Sequence, residues 1–249
     1  MTSSPSKDIP SRGLRLDAYL AHAGLASRKE ARRLIRKGHV QVEGEVCKDS
    51  ARRILTERVL LDEEEIDSPI TQTDFLLHKP VGVACSHDER EAPLVFDLLD
   101  EVLRRRELRM AGRLDRATSG LLILTTDGDL VHQLTHPTRK VAKRYRIEFE
   151  GTLAEDAVDQ CQAGILLRGE ERPTLPAQLQ IESPTTANLI LREGRTHQVR
   201  RMIRALGGEV VALHRDRVGG LDLPADLAPG ELRPLPRLER DKLLSESSL

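Results

Sequence analysis

Three groups in this sequence have side chains and placements that could do chemistry together. They are a carboxylate at Asp115, a phenol at Tyr145 and an arginine-rich segment that follows Gly194. Asp115 stands between Gly112 and Gly120, just ahead of the apolar run 121–124, which stops before Asp127 and Gly128. Four apolar residues bounded by glycine and Asp-Gly read as a buried strand ending in a tight turn. The carboxylate is therefore expected on an irregular segment beside a rigid element, where catalytic groups are usefully held. Taken alone, an Asp ahead of Thr118 and Ser119 reads more readily as a turn or cap residue. Tyr145, Ile147 and Phe149 alternate with charges over 143–150, a strand pattern in which the ring can simply be core with its hydroxyl at the edge. Beyond Gly194, Val199, Met202, Ile203 and Leu206 recur at helical spacing, with Arg195, His197, Arg200, Arg201 and Arg204 around them. A carboxylate beside an arginine stays ionised, and in an apolar site it can act as nucleophile or base.

Other chemistries find little support. The sequence has no glycine-rich nucleotide loop of either common spacing and no Ser or Cys nucleophile motif. His197 has no second histidine four residues away and no acidic cluster, so a metal site is not expected. Cys47, Cys85 and Cys161 are odd in number and widely spaced, which argues against zinc and disulfides and suits a reducing cytoplasm. No apolar run approaches the roughly 18 residues that span a bilayer, and the first residues lack the apolar core of a secretory signal. The 249 residues are 39% apolar but only 2% aromatic, with no Trp, so aliphatic side chains must fill the core. The net charge of -1 hides segregation: residues 12–58 hold twelve Lys or Arg against six Asp or Glu, while 62–67 hold five acids and no base.

These groups need elements to position them. A helix is expected from residue 14 to a cap at Gly24. A second should open at Ser27, where Glu30 completes a capping box, and close at Gly38. Arg28, Lys29, Arg32, Arg33, Arg36 and Lys37 crowd this helix with one sign of charge, which tips the reading toward a phosphate-backbone contact. Residues 39–47 alternate around Glu43-Gly44 as a hairpin, and 54–61 form a further strand. Residues 62–73 read as an acidic linker, 1–12 as a disordered tail and 238–249 as a frayed end. Within 74–237, strands are expected at 75–84 (broken at Lys79-Pro80), 121–124, 143–150, 175–181, 188–191 and 209–213. Helices are expected at 94–106, 130–134, 153–163 and 193–206. Strands punctuated by helices without regular alternation indicate an α+β fold: a small N-terminal α+β domain (13–61) and a mixed, mainly antiparallel second domain with flanking helices (74–237).

Residues 13–60 resemble the S4 RNA-binding domain. The resemblance rests on 14–20, Ser27-Arg28 and the stretch from Ala31 to Val46 with Gly38, Val40, Val42 and Gly44. It implies binding to structured RNA through shape and phosphates. From Phe75 to Leu235 the chain resembles the pseudouridine synthases, in the branch that modifies ribosomal RNA and carries an S4 domain. The most specific piece is 112–128. Supporting pieces are Lys79-Pro80 with Gly82, His136-Pro137, 143–145, 193–202 and 214–220. The resemblance implies Asp115 as the catalytic aspartate, Tyr145 as the aromatic on the target base, and Arg200 as the aspartate's basic partner, with Arg201 the alternative while the helix phase is open. It also implies RNA contacts from Arg113, Arg195, His197 and Arg201, uridine isomerisation without metal or organic cofactor, and base flipping. The tail, 214–235, resembles members acting on 16S rRNA of the small subunit, which sets the expected partner as ribosomal RNA or a pre-ribosomal small-subunit particle, met by a cytoplasmic monomer. The competing readings are a 23S rRNA synthase of the same branch and a non-catalytic ribosome-assembly factor. His78 departs from the Asn more usual in the family.

Overall fold

The computed structural model describes residues 13–55, 57–66, 74–104 and 106–245. The tail expected over 1–12 and most of the expected linker, 67–73, lie outside the described residues. The chain divides into two compact units. The first takes the described residues of 1–73 together with Leu99–Leu108; the second takes Asp74–Leu98 and the described residues from Arg109 onward.

The first unit runs β1 (Leu14–Arg15), α1 (Leu16–His22), α2 (Arg28–Lys37), β2 (Val40–Val42), β3 (Glu45–Val46), β4 (Arg53–Ile54), β5 (Val59–Leu61) and β6 (Glu64–Glu65), with α3 (Glu101–Arg104) supplied later in the chain. The expected capping box is present: Ser27 Oγ accepts from the Glu30 amide, and the Glu30 carboxylate accepts from the Ser27 amide at 2.9 Å. Gly38 closes α2 in the left-handed region. Glu43 and Gly44, both at positive φ, turn β2 into β3, the backbone that a two-residue hairpin requires. Leu16, Leu20, Ala31, Ile35, Val40, Val42, Ile54 and Val59 form one buried cluster. The expected linker begins later than its acidity suggested. Asp62 and Glu63 take positive φ, β6 pairs with β5, and Ile66 packs against the core. Asp62, Glu63, Glu64 and Glu65 mark the exposed side of a hairpin, not the end of the fold.

In the second unit, one nine-stranded sheet is built from β7 (Asp74–Lys79), β8 (Arg109–Met110), β9 (Ser119–Thr125), β10 (Lys143–Gly151), β11 (Gln178–Ser183), β12 (Thr186–Leu191), β13 (Gly208–Val218), β14 (Leu221–Asp222) and β15 (Leu232–Pro234). Its main path is β11-β12-β10-β13-β9-β7-β15. The junction of β9 with β13 is parallel and two residues long; the other strand pairings of this sheet are antiparallel. Helices α4 (Gly128–Thr135), α5 (Ala157–Ala163), α6 (Gln198–Ala205) and α7 (Arg237–Leu243) complete it. One core joins Ile147, Phe149, Cys161, Leu189, Val199, Met202 and Ile203; a second joins Leu76, Leu121, Ile123, Leu130, Leu134, Val218 and Leu243. The mainly antiparallel α+β expectation is borne out.

Several local expectations are corrected. Residues 94–106 are not one helix but a 3-10 turn at Val95–Leu98 followed by α3. Asp97 accepts from the Leu94 amide and Asp100 from the Leu103 amide, so each carboxylate secures the start of its own short helical turn. Residues 99–108 also join the first unit instead of the second. Strand β13 runs on through His214–Arg217, well past the expected end at 213. The end expected to fray from 238 is α7 as far as Leu243, and the described chain continues to Ser245.

Packing explains why α7 holds. Leu243 is fully buried, and Arg240 donates to Asp74 Oδ2 at 2.6 Å and also to Asp127. Asp74, itself buried, accepts from Thr125 Oγ1, while Asp127 caps α4 through the amides of Asp129 and Leu130. One guanidinium thus ties α7 to the start of β7 and the start of α4. Arg240→Ala is expected to lower unfolding stability by roughly 2–3 kcal/mol, because it leaves a buried carboxylate short of its charged donor. Urea denaturation of the two proteins measures the loss.

Candidate active site

Strand register brings the distant candidates into one row. Lys79 pairs with Gly120, Gly120 with Arg215, Arg215 with Tyr145, and Tyr145 with Leu189. With neighbouring strands about 4.8 Å apart, Tyr145 lies roughly 10 Å across the sheet from Gly120. Asp115 sits just before β9, so the row runs beneath it. Tyr145 is half-buried and packs against the core of Ile147 and Leu189. Gly120 is the tightest point. Its φ is +120°, and a Cβ there would stand 2.1 Å from the Arg215 carbonyl oxygen and 2.6 Å from the Arg215 nitrogen. Arg215 is buried beside it and gives Nε and Nη2 to the Leu121 carbonyl at 2.9 and 2.7 Å.

The loop that carries Asp115 is fastened from several directions. Lys79 Nζ donates to the Thr118 carbonyl at 2.8 Å, and Arg116 and Gly82 exchange hydrogen bonds at 2.8 and 3.0 Å. The Leu114 amide donates to Cys85 Sγ, and the Thr118 amide closes a turn onto the Asp115 carbonyl. Burial pushes the Lys79 ammonium below its usual pKa, while Cys85 and the Asp115 carboxylate hold it up. The backbone is rigid, yet the Asp115 side chain remains 37% exposed. Its carboxylate is thus presented outward from a fixed frame. Lys79 entered the sequence reading as a strand break and as one piece of the family resemblance, with no role of its own. A lysine two residues after the apolar run 75–77, still in the strand pattern, was the available sign that its ammonium is buried.

Helix α6 begins at Gln198, not at Gly194, and residues 193–197 form a turn that ends with His197 at φ 51°. Arg200 reaches the backbone of the Asp115 loop and of β13: Nη2 donates to the Ala117 carbonyl at 3.0 Å and Nη1 to the Val210 carbonyl at 3.1 Å. Arg201 points elsewhere, to Glu170 Oε1 at 2.8 Å and the Arg168 carbonyl at 2.9 Å. The phase of α6 therefore sets Arg200, and not Arg201, toward the loop that carries Asp115. The side chain that approaches the carboxylate is His197, whose Nε2 lies 3.7 Å from Asp115 Oδ1.

Several residues expected to meet RNA have intramolecular work. Arg195 bonds to Glu193 and to the carbonyls of Arg172 and Pro173. Arg32 donates at 2.8 Å to Asp17, which is fully buried and also held by Arg15. Burial would raise the Asp17 carboxyl, and the two arginines overcome that and hold it below its usual pKa. Arg28 lies 3.8 Å from Glu107. Lys29, Arg33, Arg36 and Lys37 are exposed on α2, and Arg113 is exposed ahead of Asp115. A concavity of about 520 Å³ on the open sheet face, lined in part by Arg146, Asn188 and His214, shares no residue with the Asp115 loop.

Comparison with known proteins places this geometry. Residues 74–205 match the family model described as RNA pseudouridylate synthase, and 14–60 match the S4 domain. Ribosomal small subunit pseudouridine synthase A of Escherichia coli (strain K12) is 41% identical over 223 residues, covering 89% of this chain and 96% of that protein. The protein of the same name from Haemophilus influenzae is 39% identical over 232 residues, covering 93% and 100%. A crystal structure of a pseudouridylate synthase superposes with a TM-score of 0.65 at 38% identity, covering 93% of this chain and all of that one.

The close approach at Gly120 has a direct consequence. Gly120→Ala is expected to cost about 2–4 kcal/mol, from positive φ combined with a backbone clash. Chemical denaturation that shows a loss below 1 kcal/mol would mean β9 and β13 can separate without penalty.

Proposed function

The chain belongs to the RNA pseudouridylate synthase family, and we propose that it converts a uridine of small-subunit (16S) ribosomal RNA to pseudouridine, with Asp115 as the essential group. The observation that carries the reading is one carboxylate, rigidly framed and outward-facing, inside the family segment. In the reaction the C1′–N1 bond breaks, the uracil turns in place, and C5 bonds to C1′. The C5 proton leaves and N1 gains one, so atoms and charge balance without an electron carrier. Asp115 acts on the ribose, either by attacking C1′ or by taking the 2′ proton. The framed loop means that little reorganisation is needed when the sugar arrives. Tyr145 lies two strands away with a half-buried ring, suited to stack on a base turned out of the RNA. Arg200 braces the loop at Ala117, and a substrate that displaces its carbonyl contacts would free the guanidinium to turn toward the carboxylate, since catalytic hydrogen bonds often tighten only in the complex.

The S4 unit supplies a second hold on the RNA through the exposed cations of α2. The small-subunit target rests on the named relatives in two organisms and on nearly full-length coverage. On this reading the protein works in the cytoplasm, on free rRNA or a pre-ribosomal particle. Among the described residues no helix is long and apolar enough to cross a membrane.

Asp115→Asn is expected to abolish pseudouridine formation in rRNA or pre-ribosomal particles while leaving RNA affinity within about threefold. Retained isomerisation would remove Asp115 from the mechanism. A deletion strain should lose one pseudouridine from small-subunit rRNA; loss from the large subunit instead would reassign the target. Neutralising Lys29, Arg33 and Arg36 together should flatten the dependence of log affinity on log salt by roughly 2–3, at 0.7–0.9 per lost phosphate contact. Arg32→Gln, in contrast, should lower the melting temperature through Asp17, with a smaller effect on the salt slope.

A further inference from the structure

His197 is set up unlike the other residues of its turn. Its backbone is left-handed, at φ 51° and ψ 31°, a conformation a side chain of this kind adopts at a cost. It occupies the N-cap position of α6, yet its side chain makes no capping bond. It is 60% exposed, so core packing does not hold the ring. What the strained backbone achieves is to direct the imidazole at Asp115, with Nε2 3.7 Å from Oδ1.

The strain is maintained by a bonded frame on both sides of the residue. Gln198, buried at 3% exposure, accepts from the Arg195 amide at 2.8 Å and donates to Glu193 Oε1 at 2.8 Å. The same Glu193 oxygen accepts from the Leu175 amide, and Glu193 Oε2 holds Arg195. Arg201, one turn on, is tied to Glu170. The turn from 193 to 197 therefore cannot relax without breaking a ring of hydrogen bonds. A conformational cost kept in place by so many contacts, in a residue that neither packs nor caps, points to a role at the carboxylate.

We propose that His197 is a positioning residue for Asp115: its ring N–H aims the carboxylate at the ribose. The proposal rests on the reading of Asp115 as the reacting group. The gap of 3.7 Å is too long for a hydrogen bond, and a movement of about 0.8 Å closes it. Substrate entry, which excludes water around the pair, would drive that closure and strengthen the contact.

The test compares His197→Gly, His197→Gln and Asp115→Asn in full-length protein on rRNA, reading kcat, KM and melting temperature. Glycine adopts the left-handed conformation freely, so the Gly variant should melt at or above the parent while kcat falls at least tenfold and KM stays within about threefold. Gln keeps an N–H donor and should recover part of kcat relative to Gly. Parental kcat in the Gly variant, or a Gln variant no better than Gly, overturns the proposal. Should Asp115→Asn itself stay active, the underlying reading fails instead; an inactive Asp115→Asn beside a fully active Gly variant sinks only the role of His197.

Discussion

The catalytic unit depends on one close backbone approach. Strands β9 and β13 run parallel for two residues, Ser119 beside His214 and Gly120 beside Arg215. This seam joins the part of the sheet around β7 and β9 to the part around β10, β12 and β13. One apolar cluster lies within the β10, β12 and β13 part, and the second spans the seam, joining Val218 of β13 to Leu121 and Ile123 of β9, so apolar packing also holds the two parts together. What aligns them is a glycine without a Cβ against the Arg215 backbone, and the Arg215 guanidinium bonded to the next carbonyl of β9. The Asp115 loop leads into one side of the seam, and α6 packs on the other. Moving the seam by one residue would carry His197 and Arg200 away from Asp115 together.

Arginine does much of the joining that aromatic residues do in other cores. With aromatics at 2% of the chain, aliphatic side chains fill space but give few directional contacts. Arg215 is buried against a carbonyl, Arg240 bridges two carboxylates, and Arg144 meets buried Asp216 through two bonds of 2.9 Å, with Arg146 adding a third. The planar fork of the guanidinium suits it to such bidentate and bridging roles, which lysine could not copy. Several arginines that look like an RNA-binding surface in sequence are consequently internal fasteners.

That explains what could be read from sequence and what could not. The α2 capping box, the Glu43-Gly44 hairpin and the alternation over 143–150 are local patterns, and the structure has them. The Asp115 loop was legible because glycines and an apolar run bracket it within a few residues. The partner of an arginine is a different matter: Arg32 finds Asp17 fifteen residues away, and Arg240 finds Asp74 across the whole catalytic unit. Spacing carries no trace of such pairs, so Arg32, read by its charge, and Arg195 and Arg201, read by resemblance, were assigned to RNA although each has an internal partner. The C-terminal helix was misread for the same reason, because the groups that hold it lie far upstream. The start of α6 was misplaced at Gly194 because glycine is a local sign of irregularity, whereas the left-handed residue is His197.

The free structure keeps the site incomplete in a specific way. Arg200 is spent on two carbonyls, His197 stops short of hydrogen-bonding distance, and Asp115 faces outward. Had these side chains closed on one another, the carboxylate would be neutralised and shielded before any RNA arrived. Holding the backbone rigid while leaving the last contacts open lets the substrate be the component that completes them. Interactions that strengthen only as the sugar and base enter contribute more to the transition state than to the resting protein, which is the condition for lowering a barrier. The framed loop and the strained turn at 193–197 are thus two parts of one arrangement: the first fixes where the carboxylate can be, and the second keeps its neighbour within reach without letting it settle.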